Sequence, residues 1–231
     1  FLPWLPHTLG SSEKRKIALK TISREQPKVC RKLLGSLIPN QQKSTSGTFK
    51  SVWRLKVDEC WNKKIGHAEY IEQSNYCAEL LVELAGWDSG ALADLVNKYA
   101  NLPANARDLL LERLSSKDFT SKPELERYEV WQAAWNLLRH HRRFPEASWS
   151  MPEELLSPLE CVADKIKPES AVLQSKELFS NNDYYLLDHS LDFEQQREKL
   201  DAARGVALEA ILAEGGFDCV IEFSTTVADP Q

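Results

Sequence analysis

Apolar residues recur at helical spacing along almost the whole chain, and this pattern predicts a succession of amphipathic helices. A first helix is predicted over residues 12–25, with Ser11 or Ser12 as its N-cap. Its inward face is predicted to consist of Ile17, Ala18 and Ile22. Pro27 opens a second helix and Pro39 ends it. The apolar stripe of this helix consists of Cys30, Leu33, Leu34 and Leu37.

The middle of the chain continues the helical pattern after a polar interruption. Residues 40–51 are small, polar and aperiodic, which predicts a loop. A long helix is predicted over residues 57–85, with Gly86 at its C-terminal end. Two further helices follow on either side of Pro103. Their apolar positions are Leu92, Leu95, Val96 and Tyr99, then Leu110, Leu111 and Leu114.

Two Ser-x-x-Glu segments, which start at Ser121 and Ser150, have the form of a capping box. In this motif the serine side chain accepts a hydrogen bond from a backbone amide in the first turn of the helix. The two segments predict helices over residues 122–142 and 152–166. The inward positions of the second of these helices are Leu155, Leu159, Val162, Ala163 and Ile166.

The last quarter of the chain predicts two more helices and a short terminal one. The first runs from Pro168 to about residue 180, and residues 181–192 form a turn-rich connection. The second covers residues 193–213, and the pair Gly215-Gly216 ends it. The terminal segment is predicted to bury a face that consists of Phe217, Val220, Ile221 and Ser224.

This order of elements predicts an all-α protein, because no segment has a convincing strand pattern and Leu, Ala and Glu greatly outnumber Val and Ile. Connections are mostly short, which favours antiparallel helical hairpins of 30–45 residues. We predict one helical domain over residues 1–231 arranged as an irregular α-solenoid, similar to HEAT or tetratricopeptide arrays. A compact multi-helix bundle is the alternative. The possible sub-units are residues 1–56, 57–120, 121–180 and 181–231.

Net charge and cysteine spacing limit the kinds of partner and the cellular location that the sequence predicts. Lys and Arg number 29 against 34 Asp and Glu, which gives a net charge of −5 and argues against a generally basic nucleic-acid-binding surface. Five cysteines occur at long spacings without a C-x-x-C pair, which predicts reduced thiols and a cytoplasmic location. No apolar run is long enough for a membrane-spanning helix, so we expect no membrane partner.

The sequence contains no recognisable catalytic, cofactor or metal site. The Lys43-Ser44 pair lacks the glycines of a phosphate-binding loop. The five histidines do not form an H-E-x-x-H motif, and there is no G-x-S-x-G nucleophile elbow. We therefore expect a protein that is not an enzyme and that needs no cofactor or metal ion.

The sharpest local run of charge is Arg139-His140-His141-Arg142-Arg143. Cations in the last turn of a helix interact favourably with its carbonyl groups, so the run needs no binding role. The alternative is that Arg139, His140, Arg142 and Arg143 contact a polyanion or an acidic partner. The aromatic residues just before the run, Tyr128, Trp131 and Trp135, share one helical face with Leu138, and we interpret them as core residues.

Three stretches carry a family resemblance, namely residues 2–8 (LPWLPHT), 142–149 (RRFPEASW) and 211–217 (ILAEGGF). In this order they resemble a helical-repeat region of very large, uncharacterised bacterial proteins. Some such proteins carry a sirtuin-like or NTPase module elsewhere and are suspected of roles in phage defence. The resemblance would cover nearly the whole chain and implies a helical-repeat fold. Its motifs are turns and packing residues, so it implies no active-site residue.

These patterns together predict a non-catalytic helical scaffold that contacts a protein partner or other domains of the same chain. The alternative function is a nucleic-acid-binding helical repeat that uses the basic cluster at 139–143. A start at Phe1 and a single methionine, Met151, predict a segment excised from a longer protein. A matured N-terminus is the alternative to excision.

Overall fold

Helices account for the regular structure in the computed structural model, which describes residues 2–5, 10–40, 65–179 and 193–227. Within these ranges the chain forms ten α-helices, two short 3₁₀ helices and no β-strand, which confirms the all-α class. The predicted connection at 181–192, most of the loop at 40–51 and the first part of the helix at 57–85 lie outside the described residues. The chain divides into two units, Phe1–Arg113 and Leu114–Gln231.

The helices of the first unit follow the predicted positions except at the start of the third, which begins at His67 and not near residue 57, because Gly66 is extended and forms its N-cap. They are α1 (Ser12–Glu25), α2 (Pro27–Leu37), α3 (His67–Ala85), α4 (Ser89–Val96), a 3₁₀ helix (Tyr99–Asn101) and α5 (Ala104–Ser115), whose last two residues belong to the second unit. The Ser11 side chain caps α1 by accepting a hydrogen bond from the Lys14 amide. Gly86 ends α3 with a φ of 54°, a conformation that glycine adopts at little cost.

The core of the first unit lies between α1, α2 and α3. The inward stripe of α2 is confirmed, since Cys30, Leu34 and Leu37 are buried. The predicted inward face of α1 is wrong at Ile17, which is 64% exposed. Leu19 and Arg15 are buried instead. The Arg15 side chain can face inward because its guanidinium donates to the carbonyl oxygen of Gly10 and to the carboxylate of Glu69, each at 2.6 Å.

The second unit contains the remaining helices. They are α6 (Lys117–Thr120), α7 (Glu124–Arg143), α8 (Glu153–Ile166), α9 (Ala171–Ser175), a 3₁₀ helix (Lys176–Phe179) and α10 (Phe193–Thr226), which contains a kink. The facing sides of α7 and α8 form its main core. The buried residues there include Tyr128, Trp131, Leu138, Leu156, Leu159, Val162 and Ile166.

Both predicted capping boxes are wrong, although the helices that they announced exist. Ser121 ends α6, and the Ser150 hydroxyl donates to the carbonyl oxygen of His141 at 2.9 Å. The N-caps of α7 and α8 are Pro123 and Pro152, and neither has a side-chain hydrogen bond. The residue before a proline is kept extended, so each helix begins after its proline and beyond the reach of the serine.

A smaller hydrophobic core lies between α10 and the 3₁₀ helix Lys176–Phe179. Phe179, Ala207, Ile211 and Phe223 are buried together, and the rings of Phe179 and Phe223 meet edge to face at 5.2 Å between centroids. Gly216 interrupts α10 with φ 70° and ψ −165°. The predicted terminal face is wrong at Phe217 and Ile221, which are exposed, while Val220 packs against this core as predicted. Phe223 is the buried aromatic residue of the segment.

Replacing Gly216 with alanine should lower the free energy of unfolding by about 1–3 kcal/mol, because its backbone lies in a region that only glycine populates readily. A matched control is Gly205→Ala in the same helix. Gly205 has no neighbouring atom that a methyl group would meet, so this change should raise the free energy of unfolding by about 0.5–1 kcal/mol. Chemical denaturation measures both values, and equal effects would contradict the assignment of the kink to Gly216.

Candidate functional site

The α7–α8 corner, residues 139–153, contains the basic run singled out in the sequence. His141 lies in the last turn of α7 and is buried. Its Nδ1 atom accepts a hydrogen bond from the Met151 amide at 3.0 Å. Burial and the neighbouring His140 both lower the pKa of His141 below its ordinary value of 6.5. His141 is therefore a neutral structural residue that fixes the path of the loop after α7.

Arg142 joins the end of α7 to α8. Its guanidinium forms ion pairs with Glu153 and with Glu160, and the two hydrogen bonds to Glu160 are 2.6 and 2.7 Å long. Hydrogen bonds to Glu160 and Glu153 raise the pKa of Arg142, and the same contacts lower the pKa of each carboxyl group. The positive charge of Arg142 is therefore offset locally by two carboxylates.

The other predicted contact residues lie against aromatic rings. His140 stacks on Trp149 at 4.6 Å between ring centroids. The guanidinium groups of Arg139 and Arg143 lie over the rings of Trp135 and Phe144, at 5.9 and 5.2 Å. Trp149 is 42% exposed, so this corner presents an aromatic ring beside cationic groups.

The aromatic face of α7 is a core feature, as the sequence indicated. Tyr128 and Trp131 are buried, and their ring centroids lie 6.0 Å apart. Trp131 and Trp135 are stacked at 6.1 Å with an interplanar angle of 11°. Burial raises the pKa of Tyr128 to about 12. These rings fill the space between helices.

A second surface lies on α10 and has no counterpart in the predicted site residues. Four large apolar side chains are exposed there by 44–74%, namely Val206, Leu212, Phe217 and Ile221. Residues 205–227 also carry four carboxylates and no Lys, Arg or His; the carboxylates are Glu209, Glu214, Asp218 and Glu222. Glu214 also accepts a hydrogen bond from the Ala171 amide at 2.6 Å. We call these eight side chains the acidic apolar surface.

Comparisons of the chain with known protein families, curated proteins and solved structures found no match. Across the described ranges, no three His, Cys, Asp or Glu side chains are grouped in a way that could hold a metal ion. Nor is any described helix both long and apolar enough to cross a membrane.

A third surface was missed in the sequence and lies on the basic hairpin, residues 12–40, which comprises α1 and α2. This segment carries eight Lys and Arg residues against two Glu, a net charge of +6 in a chain whose total is −5. The basic residues are Lys14, Arg15, Lys16, Lys20, Arg24, Lys28, Arg31 and Lys32. The hairpin's longest run of consecutive basic residues, Lys14 to Lys16, is shorter than the run at 139–143, so the hairpin is distinguished by its net charge in a sliding window and not by such a run.

A cleft of about 450 Å³ lies between the C-terminal halves of α1 and α3. Lys20 and Arg24 line the α1 side, and Glu79 and Glu83 line the α3 side, with Tyr76 between them. The Tyr76 hydroxyl donates to the carbonyl oxygen of Lys16 at 3.3 Å. The cleft places two carboxylates near one edge of the basic hairpin and so weakens the positive potential on that edge.

Proposed function

We propose that this chain is a non-catalytic helical scaffold, an irregular α-solenoid of hairpins that docks a protein partner on the acidic apolar surface. The observation that carries the proposal is the exposure of Phe217 and Ile221 just after the kink at Gly216; Val206 and Leu212 are exposed before it. Clustered exposed apolar side chains with a polar rim are typical of protein interaction sites. Phe217 and Ile221 lie one helical turn apart, so they can enter neighbouring pockets of a partner.

Charge indicates what kind of partner fits this surface. Four carboxylates and no cation lie in residues 205–227, so a partner gains most if Lys or Arg residues flank its own apolar side chains. A basic amphipathic helix has this pattern, and helices commonly dock by placing an apolar stripe against an apolar surface. A second copy of the same surface would bring like charges together. We therefore infer a basic amphipathic helix as the partner.

A synthetic amphipathic helix of Leu and Lys tests this proposal when its binding is followed by fluorescence anisotropy. The double variant Phe217→Ser/Ile221→Ser should weaken binding about tenfold, because it removes two apolar anchors. Asp218→Asn/Glu222→Gln should weaken binding mainly at low salt. Ile17→Ser is the matched control, since Ile17 is equally exposed but lies on α1, and it should leave the affinity unchanged.

A scrambled peptide of the same composition separates docking from simple charge attraction. It keeps the positive charge but loses the apolar stripe, so it should bind at least about tenfold more weakly. Equal binding of the two peptides would overturn the proposal, as would full affinity in the Phe217→Ser/Ile221→Ser variant.

The alternative function, nucleic-acid binding through Arg139, His140, Arg142 and Arg143, remains a proposal. The exposed ring of Trp149, in the same corner as Arg139 and Arg143, favours it, because an aromatic ring near cations can stack on a base. The two carboxylates that hold Arg142 count against it. Substituting Arg139 and Arg143 with glutamine tests it in the oligonucleotide experiment described below.

A further inference from the structure

Most cations of the basic hairpin have no carboxylate partner among the described residues. Three of its eight cations have carboxylate partners. Arg15 pairs with Glu69, Lys16 with Glu13 and Glu72, and Arg31 with Asp88 at 3.6 Å. Among the described residues, the other five cations have no ion-pair partner, and all five are exposed; they are Lys14, Lys20, Arg24, Lys28 and Lys32.

The stability of α1 and α2 does not explain why these five cations are present. Arg24 lies in the last turn of α1, where a cation is favourable. Lys28, in contrast, is the second residue of α2, and the first turn of that helix has no acidic residue. The positive end of the helix dipole disfavours a lysine there, so Lys28 costs stability where it stands.

Four of the five cations lie in two pairs along the helices, a spacing that suits a long, uniformly charged ligand. Lys20 and Arg24 lie one turn apart on α1, and Lys28 and Lys32 lie one turn apart on α2. The spacing along each helix is therefore about 6 Å. A nucleic acid strand carries phosphates at comparable intervals along its whole length, and neutralising them supplies most of its sequence-independent affinity.

The apolar residues of the hairpin argue against a membrane surface as the ligand. A helix that lies on a bilayer needs a continuous exposed apolar face. The apolar faces of α1 and α2 are used inside the first unit, since Leu19, Cys30 and Leu34 are fully buried. Ile17 and Val29 are the large apolar side chains left exposed on the hairpin.

We propose that the basic hairpin binds the phosphodiester backbone of a nucleic acid through Lys20, Arg24, Lys28 and Lys32. This site differs from the α7–α8 corner and does not depend on the acidic apolar surface. Its affinity is strongly salt-dependent and insensitive to base sequence, because the contacts are to phosphates. Glu79 and Glu83, across the cleft from Lys20 and Arg24, repel the ligand and set the edge of the site.

Binding of the 231-residue protein to a fluorescent 20-nucleotide oligo-dT, and to a duplex of the same length, tests this site. Anisotropy is measured over 50 to 200 mM NaCl. The variants Lys20→Gln/Arg24→Gln and Lys28→Gln/Lys32→Gln should each weaken binding at least about tenfold at 50 mM. Each should also lower the slope of log affinity against log salt by about 1.5, since two phosphate contacts are lost. Glu79→Gln/Glu83→Gln should strengthen binding.

The matched control Lys165→Gln/Lys167→Gln removes the same charge from two exposed lysines at the end of α8 and should leave binding within about twofold. All the substituted side chains of the hairpin are exposed, and circular dichroism checks that the variants remain folded. The peptide binding that tests the acidic apolar surface should persist in the hairpin variants, so the two proposals fail independently.

Several results would overturn the proposal. These are no oligonucleotide binding at 50 mM NaCl, an equal loss in the Lys165→Gln/Lys167→Gln control or in Arg139→Gln/Arg143→Gln, or unchanged affinity in both hairpin variants. Tighter binding to phosphatidylserine vesicles or to polyglutamate than to the oligonucleotides would identify a membrane or an acidic protein as the partner and would equally overturn it.

Discussion

Trp131→Ala should lower the free energy of unfolding by about 3–5 kcal/mol, the range found for removing a large aromatic side chain from a core. Trp131 is 5% exposed and lies between the rings of Tyr128 and Trp135. Its removal leaves a cavity between α7 and α8 that the neighbouring rings fill only in part. Urea denaturation followed by circular dichroism measures the loss.

Trp149→Ala is the control for this prediction, because Trp149 is 42% exposed and removes far less apolar surface from water. It should cost about 1 kcal/mol or less. If Trp131→Ala leaves stability intact but abolishes binding of a ligand, the aromatic face of α7 is a binding site and the assignment to the core is wrong.

His141→Ala should lower the free energy of unfolding by about 3 kcal/mol, since it leaves the buried Met151 amide without an acceptor and opens a cavity. The same contact makes stability depend on pH. The pKa of His141 is lower in the folded chain than its ordinary value of 6.5, so the unfolded chain binds the proton first. Stability is therefore fully present above about pH 6.5 and falls as the pH decreases towards the folded pKa.

Denaturation at pH 7.5 and at pH 5.5 measures this dependence. His141→Asn keeps an acceptor for the Met151 amide but does not titrate, so it should lose less stability between these two values than the unchanged protein. Glu153 and Glu160 contribute little to the change in stability between these two pH values, because Arg142 lowers the pKa of each carboxyl group below 4.5. An identical pH response in the variant would contradict the role assigned to His141.

The sequence predicts the helices well because strong local signals place them. The stripe of Cys30, Leu34 and Leu37 faces the core, and Gly86 ends α3 as expected. Proline and glycine fix the ends of these helices through their own backbone geometry, which tertiary contacts hardly change. The class of the protein follows from such signals alone.

Side-chain burial is less predictable where an amphipathic stripe is weak. Ile17 is exposed because Arg15, held by Glu69, takes an inward position on α1. Glu69 is 54 residues away in the sequence, so no local pattern announces this pair. Phe223, and not the predicted Phe217, is the buried aromatic residue of the last segment, because the kink at Gly216 turns the following helix so that Phe223 meets Phe179.

Local sequence patterns also fail to predict which basic residues of the candidate sites are paired with carboxylates. The run at 139–143 is conspicuous in the sequence, yet the fold pairs Arg142 with two carboxylates from α8. The basic hairpin is less conspicuous because its runs of basic residues, Lys14 to Lys16 and Arg31-Lys32, are short and its other cations are scattered among uncharged residues. Which of its charges remain without a carboxylate depends on Glu69, Glu72 and Asp88, and their positions are set by the fold.

The break at Gly216 makes the final helix a nearly separate element. The stretch from Phe217 to Thr226 is shorter than the roughly 12–15 residues that an isolated helix needs to persist in water. Its order therefore depends on packing against the smaller core, through the contact of Phe223 with Phe179 and through Cys219 and Val220. Fraying of this end should occur well below global denaturation, so its amide hydrogens should exchange with solvent earlier than those of α7 and α8.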